Sequence, residues 1–264
     1  MKLTVIRLLV FTLVIAVGLA GPLSAQSRRF RRARPDVKEA EEHNVGYTGR
    51  FTFVRLRYSR LPGFGGGGGY FGGDQKWDHD YPRAERHLTR ILSELTSIDA
   101  QTAGSNILAV DDPELFKYPV AYMVEPGFWT LTEGEAESLR NYLLKGGFLI
   151  LDDFVDRHWL NFERRMHEVL PNARLVKLDL SHPVFHSFFE IESLDVDHPY
   201  WSYKAIFYGI FEDNDPNKRL MVLVNYNADI GESWEWSDTG FIPIELSNEA
   251  YKLGVNYIVY GMTH

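Results

Sequence analysis

The stretch "LRNYLLKGGFLILDDF" (residues 139–154) decides the fold. Thr132 and Glu135 stand just before it with capping-box spacing, and Ala136, Leu139 and Leu143 recur on one helical face. Lys145 falls in the last turn, and Gly146-Gly147 ends the helix. "FLIL" then reads as a strand buried on both faces, closing on the acids Asp152-Asp153. A second helix is expected from about Trp159 to Leu170, with Phe162, Met166 and Val169 inward.

The same alternation extends upstream. "FTFVRLRY" (51–58) has strand periodicity, and "DYPRAERHLTRILSELT" gathers Leu88, Ile91, Leu92 and Leu95 on one helical face. "NILAV" and "YPVAYMV" are two further strands. Strands alternating with helices predict an α/β fold, a mainly parallel sheet with helices on both faces. Downstream, "RLVKLDL", "KAIFYGIFED" and "RLMVLVNYN" read as strands, and "NEAYKLGVNYIVYGM" as a closing helix.

At the N-terminus, Lys2 and Arg7 precede an apolar run from Leu8 to Ala20 and a small-residue break ending at Ala25. This is the pattern of a cleaved signal peptide (residues 1–25), so a periplasmic or secreted location is expected. Residues 26–50 read as a polar, basic linker, and 51–264 as one α/β domain. Without Lys2 and Arg7 the chain carries 26 basic against 36 acidic residues, a net charge of −10, which argues against a nucleic-acid partner. Arg28, Arg29, Arg31, Arg32 and Arg34 are the exception: a basic arm that either touches anionic membrane or serves as a solvated linker. Cysteine is absent, which excludes disulfides, thiolate metal sites and cysteine nucleophiles.

Ligands of open α/β sheets bind beyond the carboxyl ends of the strands, where Asp152 and Asp153 are expected. Because adjacent strand residues point to opposite sides, one of the pair faces a crevice and the other caps a turn. "DLSHPVFHSF" offers His182 and His186 at four-residue spacing, but Pro183 makes a turn of the segment. With Asp195, Asp197 and His198 a metal cluster is conceivable, although no established ligand spacing is met, and no metal is assigned. "NADIGESWEWSD" (227–238) sets Asp229 and Glu232 beside Trp234 and Trp236. Acids next to tryptophans suit carbohydrate or cation recognition; the alternative is a surface loop pinned by a buried tryptophan.

"LPGFGGGGGYFGG" (61–73) formally contains G-x-G-x-x-G, yet the next helix begins only near Pro82. Asp74, Asp78 and Asp80 intervene and would repel phosphate. The stretch reads instead as a lid loop, with Gly65, Gly68, Tyr70 and Trp77 as its working residues.

From residue 51 onward the chain resembles the bacterial family catalogued as domain of unknown function 4159. The matching segments are "WDHDYP" (77–82), "YPVAYMVEPG", "LRNYLLKGGFLILDDF", "HPVF", "DIGESWEW" and "YKLGVNYIVYGMTH". The resemblance implies a flavodoxin-like sheet similar to that of class I glutamine amidotransferases. Without a cysteine, amidotransfer by their mechanism is excluded.

The expected function is thus a non-catalytic ligand- or partner-binding module of the cell envelope. Its site would comprise Asp152, Asp153, His182, Asp229, Glu232 and Trp236, and its partner an envelope protein, a glycan or a small ligand, with the cofactor unknown. The alternative is a metal- or carboxylate-dependent hydrolase of an envelope polymer, built from Asp153, His182 and either His198 or His264. A structural envelope component tethered by the arginine arm is a third reading.

Overall fold

A computed structural model of the chain describes residues 43–61 and 75–264. The expected signal segment, the arginine arm, and Gly65, Gly68 and Tyr70 of the expected lid lie outside the described residues.

The helix–Gly-Gly–strand unit forms as its sequence dictates. Helix α2 (Glu133–Leu144) starts on a complete capping box: Thr132 Oγ1 accepts the Glu135 N–H at 3.2 Å, and the Glu135 carboxylate accepts the Thr132 N–H at 2.7 Å. Gly146 ends it at φ +115°, a backbone region that residues with a Cβ rarely adopt, and a Cβ on Gly147 would clash with the Tyr142 ring at 2.4 Å. Strand β6 (Phe148–Phe154) follows.

In chain order the other strands are β1 (Val54–Arg57), β2 (Ser59–Arg60), β3 (Asn106–Ala109), β4 (Val120–Val124), β5 (Trp129–Thr130), β7 (Val176–Lys177), β8 (Ile206–Phe211) and β9 (Leu220–Tyr226). Of the nine strands among the described residues, seven form one sheet in the order β3-β1-β4-β6-β9-β8-β7, while β2 and β5 pair separately. The run from β3 to β9 is parallel, and β8 is antiparallel to both its neighbours. Only Val176 and Lys177 of the expected strand "RLVKLDL" join the sheet. The chain leaves β1 to one side for β3, then crosses back to the other for β4. The crevice between β1 and β4 is therefore the point where strand order reverses.

Helices cover both faces. On one lie α1 (Arg83–Leu95), α4 (Ile230–Glu235) and α5 (Ile244–Thr263); on the other lie α2 and α3 (His158–Val169). Alternation sorts the strands: Val120, Tyr122 and Val124 of β4 face the first core, and Ala121 and Met123 the second. In β6 that alternation breaks after Leu151, where the register with β9 shifts and Asp153 adopts φ +56°.

Ordered contacts begin before residue 51, inside the expected linker. The Asn44 amide mimics a strand residue, donating to Ile107 O at 2.9 Å and accepting the Ile107 N–H at 2.8 Å on the edge strand β3. Among the described residues no helix is long and apolar enough to cross a membrane.

Candidate functional site

The site begins with a buried charge in β1. Arg55 shares a face with Phe51 and Phe53 and is fully buried. In α1, Glu85 stands in helical register with Leu88 and Leu92 and is likewise buried. Arg55 Nε donates to the Glu85 carboxylate, closing an ion pair inside the core. Arg55 Nη1 also donates to the backbone carbonyls of Trp77 (3.1 Å) and His79 (2.7 Å), which fixes the segment leading into α1. Lys76 (φ +67°) and Asp80 (φ +66°) in that segment are left-handed.

Two further acids stand at strand ends in the same unusual backbone. Glu125 follows β4 at φ +46°, held by its N–H on Asp152 O (3.0 Å) and by the Tyr58 hydroxyl on its own carbonyl (2.9 Å). Asp153 sits in the β6 bulge. Non-glycine residues at positive φ are uncommon, and at Glu125, a residue type without the local hydrogen bonding that eases Asp and Asn into this region, the conformation is held by the contacts just named.

The paired acids of β6 divide their roles. Asp152 Oδ2 accepts from the Tyr122 hydroxyl (2.8 Å) and from the N–H groups of Ile230 (2.9 Å) and Gly231 (3.0 Å), pinning the start of α4 to the sheet. It does not cap a following turn, as alternation suggested. Burial raises its pKa, opposed by those same hydrogen bonds. Asp153 enters two groups whose ligating atoms all lie within 4.8 Å of one another: one with His79 and Glu125, the other with His198 and Asp229. A third group of the same compactness comprises Asp80, Glu232 and Glu235, all buried. Burial and then the neighbouring acids push Asp80 and Asp153 well above the usual carboxylate range. Lys76 Nζ stands 3.0 Å from Glu125, and His79 Nδ1 3.4 Å from the same carboxylate.

Asp229 and Glu232 thus belong to the cluster, but not on a surface loop. "DIGESWEW" forms the short helix α4, with Asp229 Oδ1 capping the Glu232 N–H at 3.0 Å and both tryptophans in the interior. Trp236 is buried against Phe241 and under the Arg83 guanidinium, so it has no open face to stack on a ligand. Trp77 is likewise a core residue rather than a lid tip.

His182 lies elsewhere. It packs on Phe211 and Tyr260, and the Tyr260 hydroxyl accepts from Leu220 N at the start of β9, the end of the sheet opposite Asp153. His264 stacks on the same tyrosine, so neither joins Asp153. The conceivable histidine–aspartate cluster disperses, since His186 pairs with Glu190 and Asp195 and Asp197 with Lys204, while His198 alone of its members joins Asp153. Both His-Pro motifs have a local explanation, since His182 Nδ1 accepts the N–H of Val184 and His198 Nδ1 that of Tyr200. Each histidine closes its own turn as an asparagine would.

Burial pushes His198 down to about 4, below its ordinary 6.5. A depressed histidine pKa gives stability that is present above the unfolded-state value and lost as pH falls toward the folded one. His198→Asn keeps the turn acceptor and cannot be protonated. Between neutral pH and about 4 the parent should therefore lose on the order of 2 kcal/mol more than the variant. Urea unfolding across that range measures it; parallel pH profiles would contradict it.

Sequence reasoning missed Arg55, His79, Asp80, Glu85, Glu125 and Glu235 as site residues. Two of them carried a signal, because an arginine in register with Phe51 and Phe53 calls for a partner, and Glu85 stands on the apolar stripe of α1.

A family model described as "Domain of unknown function (DUF4159)" matches residues 52–262, which include every residue of the cluster. No curated protein matches the chain.

Proposed function

The chain belongs to the DUF4159 family, whose description assigns no activity, and from the geometry we propose an exported, non-catalytic ligand- or partner-binding module of the cell envelope. Its crevice recognises a positively charged, hydroxyl-bearing group such as an amino sugar. One observation carries this reading: Asp153 stands in two overlapping groups of ligating atoms at the strand ends, with His79 and Glu125 on one side and His198 and Asp229 on the other. Acids clustered beyond the carboxyl ends of the strands of an open α/β sheet stand where the ligands of such sheets bind. The segment that carries His198 also exposes Tyr200, Trp201 and Tyr203, flat faces suited to a sugar ring. Export rests on the pattern of residues 1–25. The strand order of the parallel run, the second strand beside the first and then the third, fourth and fifth, supports the flavodoxin-like reading of the fold.

Titration with glucosamine oligomers tests the proposal. Binding should weaken about tenfold or more in Asp153→Asn and in Trp201→Ala, and N-acetylated oligomers should bind less well. Equal binding by parent and both variants would refute it.

The hydrolase reading draws on a different observation. A carboxyl held toward its neutral form among other carboxylates, as Asp153 is, has the environment of a general acid. Cleavage of an envelope polymer that Asp153→Asn abolishes would decide for it.

A further inference from the structure

We propose that an oxygen-preferring divalent cation of the Ca²⁺ or Mn²⁺ type binds between the carboxylates of Asp80, Glu232 and Glu235. The inference rests on the reading of the crevice as a site for positive charge, and it assigns a particular cation to the deepest part. The three carboxylates come from two packed elements: Asp80 from the turn before α1, Glu232 and Glu235 from successive turns of α4. One oxygen from each lies within 4.8 Å of the others. Three oxygens so spaced share a centre within about 2.8 Å of each, a few tenths of an ångström or less from the distances of about 2.3–2.6 Å that calcium takes.

A second, independent observation points to a ligand. Asp80 is 4% exposed, and its Oδ2 is buried without a hydrogen-bond partner. Buried polar oxygens are nearly always satisfied, so one left open beside two more carboxylates needs an ion or a proton. The backbone also makes room for this carboxyl: a Cβ on Gly231 would lie 2.5 Å from Asp80 Oδ2 and 2.7 Å from the Tyr122 hydroxyl.

The two histidine-containing groups suit a metal less well. Lys76 Nζ already stands 3.0 Å from Glu125. His198 Nδ1 accepts the Tyr200 N–H, so the neutral ring carries its hydrogen on Nε2 and has no second lone pair to give. An all-oxygen donor set selects hard cations over zinc.

The test uses the full chain, stripped with chelator and titrated calorimetrically with CaCl₂, MnCl₂ or ZnCl₂ alone. The expected result is one site for Ca²⁺ or Mn²⁺, with a melting temperature that rises on binding. Asp80→Asn and Glu232→Gln should each weaken that site about tenfold or more. Because Asp80→Asn keeps the shape of the carboxyl and carries no charge into the acidic cluster, it should melt no lower than the parent in chelator, so loss of binding there is not loss of fold. The assignment is overturned if neither cation binds at millimolar concentration, if both variants bind as the parent does, or if zinc binds in preference and depends on His198. Amine binding that is sensitive to Asp153→Asn, with no response to either hard cation, would uphold the crevice reading and remove the metal.

Discussion

Arg55→Ala is expected to destabilise the fold by about 3–5 kcal/mol in urea unfolding, the range for removing one partner of a buried ion pair. The variant leaves the Glu85 carboxylate in the core between β1 and α1 without its cation. It also withdraws the donor that holds the carbonyls of Trp77 and His79. The second loss reaches the site, because those carbonyls fix the backbone that presents His79 and Asp80. Removing both charges separates the effects. Arg55→Met with Glu85→Leu should recover much of the stability, since apolar residues of similar volume replace such pairs at little net cost. Ligand or cation binding should remain impaired in the double variant, because the carbonyls are still untethered. A double variant as unstable as Arg55→Ala would show that the ion pair is not what the core misses.

Asp152→Ala should lose about 3 kcal/mol or more, through a different mechanism. Its Oδ2 is the common acceptor for one hydroxyl and two backbone N–H groups, all buried. Alanine leaves three donors without a partner and frees the start of α4, a helix of six residues too short to hold itself together. The near-ultraviolet signal of Trp234 and Trp236 should weaken along with stability, since both indoles are ordered by α4. A variant of parental stability would mean that the three donors find another acceptor and that Asp152 is dispensable to the scaffold.

The parallel sheet was legible in the sequence because each cue was local. A capping box, a Gly-Gly stop and a continuous apolar strand lie within about twenty residues, and repetition of that unit defines the layers. Part of the cluster was legible too: Asp153, Asp229 and Glu232 follow from strand ends and from a motif dense in acids. What the sequence hid was long-range. Glu125 and Glu235 look like any acids after a strand or within a helix; only the order β1-β4-β6 brings Glu125 to Asp153, and only the packing of α4 beside the turn before α1 brings Glu235 to Asp80. His182 misled for the converse reason. Its His-Pro motif resembles that of His198, but one turn closes at the amino end of the sheet and the other at the carboxyl end. Trp236 misled because tryptophan serves the core as readily as a binding face, and neighbouring acids do not show which way the ring points.

The bulge in β6 offers the sharpest contrast. Asp152 and Asp153 are adjacent, buried or half-buried, and both raised in pKa by burial. Asp152 has three donors on its Oδ2, whereas Asp153 feels Asp229, Glu125 and Glu232, in a left-handed backbone that asparagine adopts readily. A residue kept for binding tends to lower the stability of the empty site, and one kept for the scaffold raises it. The deciding measurement is the unfolding free energy of Asp152→Asn and Asp153→Asn, in chelator near pH 8, each against the parent. The predicted result is opposite signs: Asp152→Asn less stable by about 1–3 kcal/mol, Asp153→Asn more stable by about 1 kcal/mol. Loss of stability in both variants would contradict the account and make the acids at the strand ends part of the scaffold alone.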